Sequence, residues 1–202
     1  MFPDLSTARE DGLLAIGGEL TVDTLRHAYH SGIFPWFSGK IPMWYSPDPR
    51  FVLFPENLVV SKSMKQVIKS NKFSFTVDKA FKDVIINCST VEREGQWGTW
   101  ITDDMINAYV ALHKEGMAHS AEAWMDGKLV GGLYGVKVGH VFCGESMFSH
   151  VSNASKFAFI KYVQDVLIPE GVELIDCQVH TPHLESLGAE MIPRDEFVKY
   201  LK

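Results

Sequence analysis

The segment from His140 to Val179 limits what this chain can fold into more than any other stretch. Residues 140–168, HVFCGESMFSHVSNASKFAFIKYVQDVLI, open as a strand, turn at a polar loop and continue as a helix, which Pro169 stops. VELIDCQV follows at residues 172–179 as a second strand. Strand, helix and strand in that order make a βαβ unit, whose strands run parallel with a right-handed crossover. Polar side chains fall toward the carboxyl ends of both strands: Glu145 on the first, Asp176 and Gln178 on the second. Ligands of open α/β sheets sit at such strand ends, where neighbours part. The remainder of the chain is therefore read as scaffold and wall for a cleft there.

Upstream, the pattern predicts a meander that feeds this unit. Ala118–Met125 reads as a strand, Asp126-Gly127 as a hairpin turn and Leu129–Val136 as the return strand. Thr102 can cap a helix over Asp103–Glu115, with Met105, Ile106, Tyr109 and Leu112 on its buried face. Ser61–Lys72 has helical spacing, with Met64, Val67 and Ile68 on one face and Lys62, Lys65, Lys69 and Lys72 along another. Phe51–Phe54 and Phe73–Val77 read as short strands, Phe81–Cys88 as a helix, and Thr21 caps a helix over Val22–Ser31. Leu13–Leu20 is apolar with a turn at Gly17-Gly18. Residues 33–50, IFPWFSGKIPMWYSPDPR, interleave five aromatics with four prolines; that density excludes a regular helix and reads as a rigid aromatic loop. Downstream, Pro182 opens a helix closed by Gly188, Ala189–Ile192 is a short strand, and Arg194–Leu201 a closing helix. The expected organisation is a small amino-terminal lobe, residues 1–56, and a larger domain, residues 57–202. The fold class is α+β, a mixed sheet flanked by helices.

The net charge of −6 argues against a general polyanion binder, so a nucleic-acid partner needs a local basic patch. The lysine stripe of residues 62–72, uninterrupted by acids, is the candidate for phosphate contact, although most such stripes are solvated faces. The opening residues, MFPDLSTAREDG, carry acids and no long apolar run, unlike a signal peptide. Nothing approaches the roughly 18 apolar residues of a membrane span. Cys88, Cys143 and Cys177, an odd number without paired spacing, fit a reducing cytoplasm.

Asp176 and Gln178 are two residues apart on a strand, so their side chains leave the same face within hydrogen-bonding reach. A carboxylate that fixes an amide leaves the amide oxygen as a defined acceptor, which suits an amine nucleophile held with its lone pair free. The plainer reading is a capped polar strand end; a carboxylate pair for sugar hydrolysis is a third. Cys177, His180 and His183 do not fall on one face as metal ligands do. Ser146, His150 and Asp176 supply the residue types of a triad without the Gly-x-Ser-x-Gly context of a nucleophile elbow. A meander followed by βαβ is also the core of acetyl-CoA-dependent transferases. Their loop before the crossover helix is glycine-rich, so that backbone N–H groups reach a pyrophosphate; here that loop, SHVSNASK, has no glycine.

GLLAIGGEL, GIFPWFSGKIPMWYSPDPR, TWIT, LVGGLYGV, FCGESMFS, NASK, LIDCQV and SLGAEMIPR, in this order across residues 12–194, together resemble the leucyl/phenylalanyl-tRNA–protein transferase family. The resemblance implies an acetyltransferase-like (GNAT) domain with a small amino-terminal lobe. It implies transfer of leucine or phenylalanine, less readily methionine, from aminoacyl-tRNA to the amino-terminal arginine or lysine of an acceptor protein. The product is marked for bacterial degradation by the N-end rule. No metal or cofactor is implied. Asp176 and Gln178 are the implied catalytic pair, with Glu145 beside them in the substrate cleft. Trp36, Trp100, Leu133, Phe142, Tyr162 and Ile175 fall at the family's aminoacyl pocket or substrate entrance. A cytoplasmic monomer is expected. The competing classes are a CoA-dependent N-acetyltransferase, against which the glycine-free loop counts, and a non-catalytic tRNA- or peptide-binding module, against which the Asp176/Gln178 pair counts.

Overall fold

A computed structural model describes residues 1–91 and 101–202. In chain order its elements are β1 (Leu13–Ile16), α1 (Val22–His30), β2 (Phe34–Pro35), β3 (Met43–Tyr45), β4 (Arg50–Leu53), α2 (Lys62–Lys69), β5 (Ser74–Val77), α3 (Phe81–Thr90), α4 (Asp103–Lys114), β6 (Ala118–Met125), β7 (Lys128–Val138), β8 (Val141–Ser149), α5 (Ala154–Tyr162), β9 (Leu174–Gln178), α6 (Pro182–Glu185), β10 (Glu190–Ile192) and α7 (Arg194–Phe197).

The strands form two sheets. A small one has the order β1-β3-β2, and a seven-stranded one the order β10-β4-β9-β8-β7-β6-β5. In the large sheet β8 and β9 are parallel, the pair that the crossover predicts, and the other pairings are antiparallel. The α+β class with a mixed, helix-flanked sheet is the expected one. The aromatic stretch departs from expectation: it is not a loop throughout, because β2 and β3 pair within it and β1 adds to β3. Prolines that bar a helix leave extended edge strands open. Strand β4 lies ahead of the expected division at residue 56, yet it hydrogen-bonds to β9 and β10, so the large sheet begins at Arg50.

Local chemistry explains the elements that aim the site. Thr21 caps α1 and Thr102 caps α4, each side-chain oxygen accepting a backbone N–H of the first turn. Their inward faces are Leu25, Ala28 and Tyr29 on α1, and Met105, Ala108, Tyr109 and Leu112 on α4, the spacing of a helical stripe. Asp126-Gly127, both at positive φ, turns β6 into β7. Helix α5 is apolar nearly all round and buried; it continues through a π-helical turn over Val163–Leu167 before β9. Its first turn lies so close to β7 that a Cβ on Gly131 would come within 2.6 Å of the Ala154 Cβ.

Alternation along the central strands divides the core. Tyr134, Val136, Cys143 and Leu174 join one cluster with α1, α3 and α4, whereas Leu133, Phe142 and Ile175 join a second with α5. The site draws on both faces.

Candidate active site

Strands β8 and β9 pair from Val141↔Leu174 to Cys143↔Asp176 and then part. Two bulges sit at the parting. On β8, Gly135 faces Gly144 and Tyr134 faces Ser146, which leaves Glu145 as the extra residue. On β9, Val52 faces Asp176 and Phe51 faces Gln178, which leaves Cys177 as the extra residue. A bulge bends its strand and re-aims side chains. Gln178 accordingly takes a left-handed backbone, φ +65°, an uncommon conformation for a residue with a Cβ.

These turns bring Glu145, Asp176 and Gln178 together, but not in the expected pairing. Asp176 does not hold the Gln178 amide. Its Oδ1 accepts Arg50 Nε at 2.8 Å and the Gln178 backbone N–H at 2.9 Å, and its Oδ2 accepts Arg50 Nη2 at 2.7 Å. Arg50 is 1% exposed, and its guanidinium lies over the rings of Phe34 and Phe197, 4.7 and 4.6 Å from their centroids. The carboxylate that fixes the amide is Glu145: Gln178 Nε2 donates to its Oε1 at 2.7 Å. The other oxygen accepts the Tyr109 hydroxyl at 3.0 Å, and Tyr109 is hydrogen-bonded to the Tyr29 hydroxyl. Burial pushes the Glu145 carboxyl up to about 7, against the pull of the hydrogen bonds from Tyr29, Tyr109 and Gln178; the neighbouring Asp176 pushes the same way as burial. Burial, reinforced by Glu145, holds the Tyr29 and Tyr109 hydroxyls well above the usual tyrosine range.

A cavity of ≈ 320 Å³ opens beside these groups, at the small end of the roughly 300–1,000 Å³ of ligand pockets. Glu145, Asp176 and Gln178 contribute to its polar lining with Ser146, Thr181 and His183; Leu133, Met147, Phe159, Ile175, Leu184 and Trp36 supply apolar surface. Of the residues expected at a pocket, Leu133, Ile175 and Trp36 line this cavity. Phe142 and Tyr162 are not part of its lining. They are buried in the α5-side core and meet edge to face, ring centroids 5.1 Å apart. Phe142 is the register partner of Ile175, so it backs the cavity wall. Trp100 lies outside the described residues. Lys62, Lys65, Lys69 and Lys72 are all exposed, on and just after α2, whose inward anchor is Met64.

Sequence reasoning missed Arg50, Tyr109 and Tyr29 as site residues. An arginine heading the otherwise apolar run RFVLF was a signal for a buried acidic partner. Tyr109 sits on the face of α4 expected to be buried, where a phenol needs a hydrogen-bond partner. The triad reading fails on geometry: Asp176 is engaged by Arg50, and His150 Nε2 is 2.6 Å from Asn87 Oδ1. Among the described residues, no group of three or more His, Cys, Asp or Glu could hold a metal ion. Cys88, Cys143 and Cys177 are buried thiols outside any disulfide, and burial pushes the Cys143 and Cys177 thiols up.

A family model described as leucyl/phenylalanyl-tRNA protein transferase matches residues 52–202, and one for that enzyme's N-terminal domain matches residues 18–48. A leucyl/phenylalanyl-tRNA–protein transferase from Flavobacterium johnsoniae is 56% identical over 202 residues, covering 100% of this chain and 95% of the relative. One from Christiangramia forsetii is 57% identical, covering 99% and 95%. Among solved structures, a GCN5-related N-acetyltransferase from Kribbella flavida aligns with a TM-score of 0.42 at 12% identity, over 81% of this chain and 57% of that one; so distant a likeness says nothing of chemistry.

Proposed function

The chain belongs to the leucyl/phenylalanyl-tRNA–protein transferase family, and on that premise we propose how its cleft moves an aminoacyl group from tRNA to a protein. The donors are Leu-tRNA and Phe-tRNA, with Met-tRNA poorer, and the acceptors are proteins with amino-terminal arginine or lysine, in the N-end rule pathway. The observation that carries this reading is the Gln178 amide, clamped through its Nε2 by Glu145 at the edge of an apolar cavity. With the NH₂ committed, Oε1 is the acceptor offered to an incoming amine.

Aminolysis of an ester needs no covalent enzyme intermediate. Holding amine and ester in line supplies a large share of the rate, with effective molarities worth roughly 7–11 kcal/mol in favourable cases. Gln178 orients the amine. Asp176 acts from behind, by locking the backbone of Gln178 and being locked itself by Arg50. The aminoacyl side chain enters the cavity against Leu133 and Ile175, with Trp36 at its mouth. An apolar pocket discriminates by only about 1–3 kcal/mol per methylene, which suits acceptance of Leu, Phe and some Met. The lysines of α2 meet tRNA phosphates, and the enzyme works as a cytoplasmic monomer; no described helix is long and apolar enough to cross a membrane. Radiolabelled Leu-tRNA and Phe-tRNA, incubated with peptides beginning with Arg, Lys or Ala, test the reading. Label should enter the Arg and Lys peptides; label transfer from acetyl-CoA instead would replace it.

A further inference from the structure

The family reaction releases a proton, and the structure singles out a group to take it. An acceptor amine arrives mainly as an ammonium near neutral pH, since α-amino groups titrate at about 7.7–8.0. Asp176 is a poor receiver: both its oxygens already accept hydrogen bonds from the Arg50 guanidinium, and it is fully buried. Both carboxyls line the cavity, but Glu145 differs: it is the bulged residue of β8, and its partners are neutral, Gln178 Nε2 on Oε1 and Tyr109 on Oε2. A carboxylate offers about four lone-pair sites, so Oε1 keeps room for a donor held at the same time by Gln178 Oε1.

Resting on the transferase reading, we propose that Glu145 takes the proton from the acceptor's ammonium, with Tyr109 and Tyr29 as positioning residues behind it. One N–H proton passes to the Glu145 carboxylate, which becomes a carboxylic acid. The freed lone pair bonds to the ester carbonyl carbon, and the bond from that carbon to the ribose oxygen breaks. The second N–H proton goes to the ribose oxygen, leaving an amide and a free hydroxyl. Glu145 then returns its proton to water through the open cleft.

The chain of hydroxyls fits this task. Tyr29 comes from α1 and Tyr109 from α4, and Tyr134 of β7 packs edge-on against Tyr109 with centroids 5.5 Å apart. The other titratable or charged groups around Glu145 are Asp176 with its Arg50, Cys143 on its own strand, and His183 of α6, which lines the same cavity. Burial and Asp176 favour the acid form while the tyrosines and Gln178 favour the carboxylate, which leaves the group balanced near neutrality, where a general base works best.

The test is the pH profile of kcat/KM for transfer from Leu-tRNA to two Arg-starting peptides whose α-amines differ in pKa. A limb near pH 7 that stays in place with both acceptors belongs to the enzyme. In Glu145→Gln that limb should vanish, and kcat/KM should fall by about 10²–10⁴-fold. In Tyr109→Phe, which removes a bond to the carboxylate, the limb should move to higher pH; this variant decides the matter if Glu145→Gln is too slow or fails to fold. A Glu145→Gln enzyme that keeps the limb, or a Tyr109→Phe profile superimposable on the wild type, overturns the proposal and leaves the transferase reading standing. Failure of the wild type to transfer at any pH overturns both.

Discussion

Arg50 of β4 reaches Asp176 of β9 through two parallel side-chain hydrogen bonds, 2.8 and 2.7 Å long, with both side chains 1% exposed. The pair joins the strand that opens the large sheet to the strand that ends at the Gln178 amide. It also ties the lobe to the site, because Phe34 of β2 covers the guanidinium and lines the cavity.

Removing one partner of a buried ion pair leaves an uncompensated charge, at about 3–5 kcal/mol. Arg50→Met should therefore lower stability by that order, read as a lower urea midpoint, and abolish transfer. Arg50→Lys should not restore it, because an ammonium cannot make the parallel pair of bonds. For the same reason Asp176→Ala should lose stability together with rate. An Arg50→Lys protein with wild-type stability and rate would show that the fork is dispensable.

Gly135 marks the tightest approach near the bulge. A Cβ there would stand 2.3 Å from the Cys143 carbonyl oxygen and 2.4 Å from Phe142 Cζ. A backbone oxygen in a paired strand has little freedom to yield, so Gly135→Ala must shift β8 where Glu145 leaves it. Overpacking of this kind costs about 1–3 kcal/mol, or roughly 2–12 °C in Tm at about 2–4 °C per kcal/mol for a chain this size. Transfer should fall further than that stability loss explains; a variant with unchanged Tm and rate would contradict the register of β7 and β8.

Much of this was legible in the sequence. The βαβ unit, the Asp126-Gly127 hairpin, the Thr21 and Thr102 caps and the convergence of Glu145, Asp176 and Gln178 all follow from local rules of period, turn chemistry and strand ends. What stayed hidden depended on contacts distant in the chain. Arg50 reaches Asp176 across 126 residues of sequence, and Tyr29 reaches Tyr109 across 80. The bulges at Glu145 and Cys177 shift register by one residue, a shift that no single-strand pattern announces. Parity alone therefore paired Gln178 with the wrong carboxylate.

The cavity predicts which apolar residues set selectivity. Leu133 lines it, whereas Tyr162 packs behind Phe142. Leu133→Val, one methylene smaller, should raise the Phe-to-Leu ratio of kcat/KM by about 10-fold or more, from roughly 1–3 kcal/mol per methylene. Tyr162→Phe should leave the ratio unchanged. The opposite ranking of the two variants would move the aminoacyl pocket to the α5 side.

Helix α2 presents Lys62, Lys65 and Lys69 to solvent, with Lys72 just beyond. If these lysines neutralise tRNA phosphates, Lys65→Glu combined with Lys69→Glu should weaken aminoacyl-tRNA binding. Its log–log salt slope should flatten by roughly 0.7–0.9 for each phosphate that is no longer neutralised. Phosphate contacts carry no sequence information, so the weakening should be equal for Leu-tRNA and Phe-tRNA. Transfer from a minimal aminoacyl-adenosine should survive. An unchanged slope in the double variant would reduce the stripe to a solvated face.

Glu145 should also leave a signature in stability. Its carboxyl is raised by burial from an ordinary 4.5 to about 7 in the folded protein. Between those values the native state holds a proton that the unfolded chain has released. Stability therefore falls as pH rises across this window: the contribution is fully present below about 4.5 and gone above about 7. At about 1.4 kcal/mol per unit, the swing is on the order of 3 kcal/mol. Glu145→Gln keeps the shape without the charge, so its stability relative to wild type should improve by that order between pH 4.5 and pH 8. Urea unfolding of both proteins across this range measures the difference, in which groups common to both cancel. The variant would then be firmer at pH 8 and slower in transfer, the exchange expected of a carboxylate kept buried for its chemistry. A difference that does not vary with pH would mean that Glu145 titrates at its ordinary value and that the buried network does not perturb it.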